Sequence, residues 1–312
     1  MNPSPKPPAM TREMREKRAA RLAKELAHLP TRIGNPFFQE LQARWPDSPT
    51  LAAPVSQLCT ASQFREPDYA RVCAAMTVKP NLHRKQWEFV FIIRCLEVSG
   101  MIRPGHSGLV FGVGREKLPS LFISRGCQIT ATDLPVEDGG TSNWVRGKDH
   151  SENLDGLFFK QIVDRDAFYR NATFRPVNMN AVPDDLAGFD FCWSSCAFEH
   201  LGSLEHGLNF VRNSLRCLKP GGVAVHTTEF NLGSDNETLV DGPCVVYRES
   251  DLLSFAEELR GQGHRIELNL NPGSEQTDLL IDRDRMGDIH LRLYISRRIL
   301  ATSVGLFIRK SD

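Results

Sequence analysis

Gly108-Leu-Val-Phe-Gly-Val-Gly-Arg-Glu-Lys-Leu118, followed by Gln128-Ile-Thr-Ala-Thr-Asp133, decides the fold of this chain. The first run predicts a strand, a glycine turn and the opening of a helix. The second predicts a neighbouring strand that ends on an acid. Gly112 and Gly114 remove the side chains that would hold a ligand away from the backbone of the turn. Asp133 stands where a carboxylate can accept bonds from ribose hydroxyls. Strand, glycine turn, helix, strand and acid, in that order, describe a nucleotide-type site in an open α/β sheet.

The dinucleotide fingerprint requires a third glycine where Lys117 stands, because that glycine lets the helix pack closely beside the pyrophosphate. With two glycines alone, an ordinary strand-to-helix turn stays open. Further along, Phe189-Asp-Phe-Cys-Trp-Ser-Ser195 predicts a fourth strand running into Cys196-Ala-Phe-Glu-His-Leu-Gly202. After a helix, Leu215-Arg-Cys-Leu-Lys-Pro-Gly-Gly222 stops the chain, and Val223-Ala-Val-His-Thr-Thr-Glu-Phe230 predicts a fifth strand. Proline and paired glycines end a helix and permit the reversal into a sheet.

In this order and spacing, FGVGRE, ATDLP, FDFCWSSCAFEHLG and LKPGGVAVHTTEF resemble the class I S-adenosylmethionine-dependent methyltransferases, over roughly residues 81 to 312. The wording is most similar to bacterial enzymes that modify small molecules or glycans. The resemblance implies a Rossmann-like, seven-stranded, mostly parallel sheet with an antiparallel C-terminal strand and helices on both faces. It implies S-adenosyl-L-methionine as cofactor, held by Gly112, Val113 and Gly114 of the turn and by Asp133 and Leu134. Phe174 to Asn180 would be the third strand and its exit loop, with Asn178 against the adenine amine and Met179 against the ring. An amide oxygen can accept from that amine, and a thioether can cover an aromatic face. Ser194 and Ser195 would end the fourth strand at the methyl-transfer site. Two positions depart from the pattern: Val110 replaces an acid and Glu116 replaces a glycine. Arg115, Glu116 or an upstream polar group would then take the methionine end, with Arg84 a candidate for its carboxylate.

Composition fits a soluble, cytoplasmic enzyme. The 312 residues are 41% hydrophobic and 24% charged, with formal net charge zero. The longest apolar run, Phe89 to Ile93, is far short of the roughly 20 residues that cross a bilayer. The eight cysteines are scattered, without CxxC pairs or a histidine cluster at ligand spacing, and are read as reduced, with no metal expected. Cys192 and Cys196 are read as packing residues.

Residues 1–80 are expected to form an N-terminal helical extension that covers the cofactor. Its first ten residues are proline-rich and expected to be disordered, and 11–28 are expected to make a basic amphipathic helix with interleaved acids. Residues 81–312 form the catalytic domain. A helix is predicted from Asn81, its cap, to Glu97. Residues 250–260 predict another helix, 265–270 a strand, and 302–308 a last strand on an antiparallel edge. A long insertion after Asp133 carries Gly139, Gly140 and Trp144, and residues 273–299 carry Asp282, Arg283, Asp284, Arg285, His290 and Tyr294.

The expected chemistry is methyl transfer to a hydroxyl of a small-molecule or glycan acceptor, without metal. Positioning supplies roughly 7 to 11 kcal/mol of such a barrier, and a placed base contributes about 10² to 10⁴ in rate. His200 is the first candidate base, with Glu199 as its partner or as a base itself, followed by His226 and Glu229. Nucleic acid is not the expected partner: the sequence after the fourth strand, Ser195-Cys-Ala-Phe198, lacks the Asp- or Asn-Pro-Pro-aromatic run of amino-methylating enzymes. An RNA methyltransferase, a nicotinamide-type oxidoreductase and a non-catalytic cofactor-binding module remain the alternatives.

Overall fold

The computed structural model describes residues 33, 35–135, 150–282 and 288–312. In chain order these form helix α1 (Pro36–Arg44), strand β1 (Ser56–Leu58), α2 (Pro67–Ala75), β2 (Leu82–His83), α3 (Arg84–Val98), β3 (Ser107–Val110), α4 (Leu118–Ser124) and β4 (Gln128–Asp133). There follow α5 (Arg165–Asn171), β5 (Ala172–Pro176), β6 (Phe189–Ser195), β7 (Gly202–Ser203), α6 (Leu204–Arg216), β8 (Leu218–Asn231), β9 (Asp241–Gly242) and α7 (Glu249–Gly261). The chain closes with β10 (Arg265–Ile266), β11 (Leu268–Asn269), β12 (Ile289–His290), β13 (Leu293–Ile295) and β14 (Ile299–Arg309). The basic stretch 11–28, the glycine pair with Trp144, and 283–285 lie outside the described residues.

The main sheet runs β11-β1-β14-β8-β6-β3-β4-β5, with β10 and β13 also paired to β14. Strands β5, β4, β3, β6 and β8 are parallel neighbours, and β14 is antiparallel to β8 from Ala301↔Asn231 to Arg309↔Val223. This is the doubly wound, Rossmann-like order expected from the sequence. Strand order reverses between β3 and β6, and ligands of such sheets bind outside the strand ends at that reversal.

Both faces of the sheet are buried, as a parallel sheet requires. Alternation along the strands sends Leu109, Cys192 and Ala224 to one core, with Phe210, Val211 and Leu259 from α6 and α7. Their neighbours Val110, Trp193 and Val225 enter the other core, with Val72, Phe91 and Phe122 from α2, α3 and α4. Helix α3 approaches β14 closely because Gly305 has no side chain; a Cβ there would stand 2.1 Å from Phe91 Cε1.

The structure differs from the sequence reading at four places. Residues 56–58, expected in a helical extension, form β1 within the sheet, bonded to both β14 and β11. For the same reason β14 is an interior strand and not an edge. Helix α3 begins at Arg84, with its cap two residues later than read: His83 Nδ1 accepts the amide of Lys85 as cap, while Asn81 donates its own amide to Gln86. The third strand begins at Ala172, two residues before the reading at Phe174, and its exit loop follows Pro176.

Candidate active site

The turn after β3 is pinned on both sides: Phe111 donates its amide to Trp193 O at 3.0 Å and Val113 to Thr132 O at 3.0 Å. Between and beyond these bonds Gly112 and Gly114 adopt φ of +59° and +54°, a conformation that costs other residues about 1–2 kcal/mol. A Cβ on Gly112 would also meet Ala197 Cβ at 2.9 Å and Met179 Sδ at 3.4 Å. Val113 itself is buried.

Around Gly112 lies a cavity of about 110 Å³ at the C-terminal ends of β3, β4 and β6. Its walls come from Asp133 and Leu134 after β4, Val177 and Met179 after β5, and Ala197, His200 and Leu201 after β6. The cavity thus joins Gly112, Asp133, Leu134, Met179 and His200 from the sequence reading. Val177 was not singled out, although it lies in the stretch read as the third strand and its exit loop; its amide bonds to Asp133 O at 2.8 Å. Asn178, half-buried beside the cavity, caps the short turn that presents Met179, accepting the amide of Asn180 at 2.9 Å. Asp133 is buried, and its carboxylate accepts the amides of Gly114 (3.1 Å), Leu134 (2.8 Å) and Ser151 (3.0 Å).

Of the methionine-end expectations, those for Glu116 and Arg84 need correction. Glu116 turns inward, 7% exposed, and accepts the Trp193 indole N–H at 2.6 Å. Burial, reinforced by the charge of Asp133, lifts its carboxyl to about 8, so it is a neutral acid at pH 7. Arg115 is exposed and packs its stem near Gly156. Lys117 sits at the start of α4 and donates to Met76 O. Arg84 is committed elsewhere: its guanidinium holds Glu229 in two contacts of 2.7 and 2.9 Å and donates to Ser303 Oγ at 2.9 Å.

Arg84 belongs to a buried charged cluster at the ends of β6 and β8. Glu88, one turn along α3, is fully buried and held by the hydroxyls of Ser303 and Ser195 and by Lys85 at 3.4 Å. Burial would push its carboxyl up, but Lys85 and Arg84 outweigh it and hold it low. Glu199 accepts from Thr228 at 3.2 Å; burial and Glu229 push its carboxyl up against the pull of His200 and Lys85. Glu88 was missed because a single acid on an amphipathic helix reads as solvent-facing. Its i, i+4 spacing from Arg84 and its place on the face of Trp87 and Phe91 were the available signals.

Of the two serines, Ser195 is half-buried at the strand end, whereas Ser194 is fully buried. Ser194 Oγ bonds to His226 Nδ1 at 2.8 Å, and Ser214 Oγ bonds to His226 Nε2 at 2.9 Å. His226 is therefore corrected from candidate base to core residue: it is fully buried, and burial lowers it to about 3. His200 differs in each respect. Its side chain is 47% exposed on the cavity wall, and its Nδ1 lies 2.7 Å from Pro243 O. A carbonyl can only accept, so the neutral ring carries its proton on Nδ1 and keeps a lone pair on Nε2. That nitrogen is 3.9 Å from Glu199 Oε1.

The ligand atoms of Cys196, Glu199 and Glu229 lie within 4.8 Å of one another, a donor set for a cation. Arg84 already neutralises Glu229 there, and Cys196 is held protonated by burial and by Glu199 and Glu88. A second, open groove of about 510 Å³ runs between Asn35–Arg44 and Gly233–Asn236. Its lining is mostly polar, with Pro36 and Phe37 as the apolar members.

No family model matches the chain, and no curated protein does. Solved structures do resemble it. They include phosphoethanolamine N-methyltransferase 2 of Haemonchus contortus in complex with S-adenosyl-L-methionine, 15% identical with a TM-score of 0.35, over 53% of this chain and 35% of that one. A TehB-like S-adenosylmethionine-dependent methyltransferase from Corynebacterium glutamicum is 13% identical with a TM-score of 0.37, over 78% and 94%. The [4+2]-cyclase SpnF is 17% identical with a TM-score of 0.35, over 54% and 57%. The chain thus spans about a third of the first of these and over half of the cyclase. Likenesses this distant say nothing of the reaction.

Proposed function

We propose that this chain is an S-adenosyl-L-methionine-dependent methyltransferase that methylates a hydroxyl of a small molecule or glycan without a metal. The cavity that brings Gly112, Asp133 and Met179 together at the strand-order reversal carries the reading. The residues present fit the cofactor: Gly112 leaves the space a Cβ would fill, Asp133 offers a buried carboxylate, and Leu134, Val177 and Met179 form apolar walls. These residues would hold the nucleoside. When bound, the cofactor supplies a methyl on sulfonium, already electrophilic, so the protein's work is alignment and removal of a proton from the acceptor.

His200 is the base in this reading. Pro243 O holds its Nδ1–H, which aims the bare Nε2 to take the acceptor's proton, and Glu199 beside it balances the imidazolium charge. Metal independence is supported by Arg84, whose bidentate hold on Glu229 takes the charge a cation would use. A cytoplasmic setting is supported by eight cysteines without a disulfide, seven of them buried. No helix of the described residues is long and apolar enough to cross a membrane.

Calorimetric titration with S-adenosylhomocysteine and with NAD tests the cofactor: binding of the first alone is expected, and NAD binding alone would reverse the assignment. For His200→Gln, transfer of labelled methyl should fall about 10² to 10⁴-fold with S-adenosylhomocysteine affinity unchanged. Wild-type turnover in that variant removes His200 from the mechanism.

A further inference from the structure

Trp193 of β6 touches the glycine turn at both ends. Its carbonyl accepts the amide of Phe111 at 3.0 Å, one residue before Gly112, and its indole Nε1 donates to Glu116 Oε1 at 2.6 Å, two residues after Gly114. The indole is a fixed point: Trp193 is fully buried, edge-on to Phe122 at 5.0 Å and stacked on Phe191 at 5.8 Å. Residues 111 to 116 are therefore bracketed by one side chain and its own backbone, and Gly112 inside the bracket lines the cavity in which the nucleoside would lie.

The amides of Val113 and Gly114 tie the turn to β4. The two bonds of Trp193 tie it to β6, and Glu116 supplies the second of them. The charged groups around its carboxyl come from β4 and from its own turn. Asp133 acts on it from the end of β4. Arg115 is exposed against Gly156, and Lys117 reaches away to Met76 O and over the Phe159 ring. Burial favours the protonated form of Glu116, the indole bond opposes burial, and the charge of Asp133 sides with burial. No cation offsets an ionised carboxylate there.

We propose that Glu116 is a positioning residue for the cofactor: its bond to Trp193 closes a clamp that holds the glycine turn in its ligand-receiving shape. The proposal rests on the cofactor reading above. The clamp works with the carboxyl protonated, because a buried carboxylate beside Asp133 without a counter-cation leaves for water and strands the indole N–H. Only the clamped fraction binds, so apparent affinity falls with that fraction.

Calorimetric titration with S-adenosylhomocysteine from pH 6.5 to 9 tests it, read as the ratio of wild-type affinity to that of Glu116→Gln, since the ligand's own amine titrates alike in both. Gln keeps an oxygen for the indole and has no acidic proton to lose. With the carboxyl lifted to about 8, the ratio should stay near one at pH 7 and drop about tenfold by pH 9. Glu116→Ala should bind about tenfold more weakly throughout. The Trp193 indole N–H resonance, assigned against Trp193→Phe, should shift over the same range in the wild type and stay fixed in Glu116→Gln. A ratio constant to pH 9, an indole resonance that does not move, or Glu116→Ala binding like the wild type overturns the positioning role. Absence of binding in wild type and Glu116→Gln alike at pH 7 overturns the cofactor reading, and this role with it. Should Glu116→Ala fail to fold, the affinity ratio and the indole resonance decide.

Discussion

Glu116 and His226 show how a side chain's environment, and not its type, sets its role. Both read from the sequence as polar groups near a site, and both are core residues with one protonation state locked by burial. The carboxyl of Glu116 rises from an ordinary 4.5 to about 8. Below pH 4.5 the folded and unfolded chains are both protonated there, so the group does not affect stability. Between 4.5 and 8 only the unfolded chain loses the proton, so stability falls as pH rises through this window, by a few kcal/mol in all, and levels off above 8. Urea unfolding of Glu116→Gln between pH 5 and 8 should show a flatter pH dependence than the wild type. Parallel curves would mean that Glu116 is ionised against the indole of Trp193.

At the scale of elements, helix α3 is coupled to the sheet through charge as well as packing. Arg84 in its first turn reaches Glu229 on β8 and Ser303 on β14, while Glu88 on the same face reaches Ser303 and Ser195. Removing one member of a buried pair strands the other, which costs about 3–5 kcal/mol. Arg84→Ala should therefore lower stability by that amount in denaturant titration and leave S-adenosylhomocysteine affinity within a few-fold, measured where the variant is folded. A large loss of affinity with little loss of stability would return Arg84 to the methionine carboxylate. The glycine turn, β4 and β6 were legible as elements because their periodicity and punctuation are local. The Arg84 cluster was not, since its members come from four segments brought together by helix placement.

For the whole molecule, the described part of residues 1–80 behaves as part of one fold. Strand β1 lies between β14 and β11, and Leu51, Tyr69, Val72 and Met76 share a core with Trp87, Phe91 and Ile92 of α3. A fragment starting at residue 81 would expose that apolar face and leave β14 with an unpaired edge, conditions that favour association. Expression of 81–312 should yield aggregated or partly unfolded material by size-exclusion chromatography and circular dichroism. A monodisperse, cooperatively folding fragment would restore the boundary at residue 81.

The order of the main strands, turns and helices from Ser107 to Asp133 and from Phe174 to Asn231, and with it the doubly wound sheet and the location of a nucleotide-type site, follows from the sequence by itself, whereas helix α5 (Arg165–Asn171) was not legible there. Strand alternation, glycines at a left-handed turn and the proline-glycine stop are properties of neighbouring residues. Which polar groups face the site was decided only in three dimensions. Glu116 could turn under the indole of Trp193, His226 could settle between two serine hydroxyls, and Ser151 could close on Asp133 only once distant segments met. Burial and hydrogen-bond partners of this kind depend on long-range packing, which no local pattern encodes.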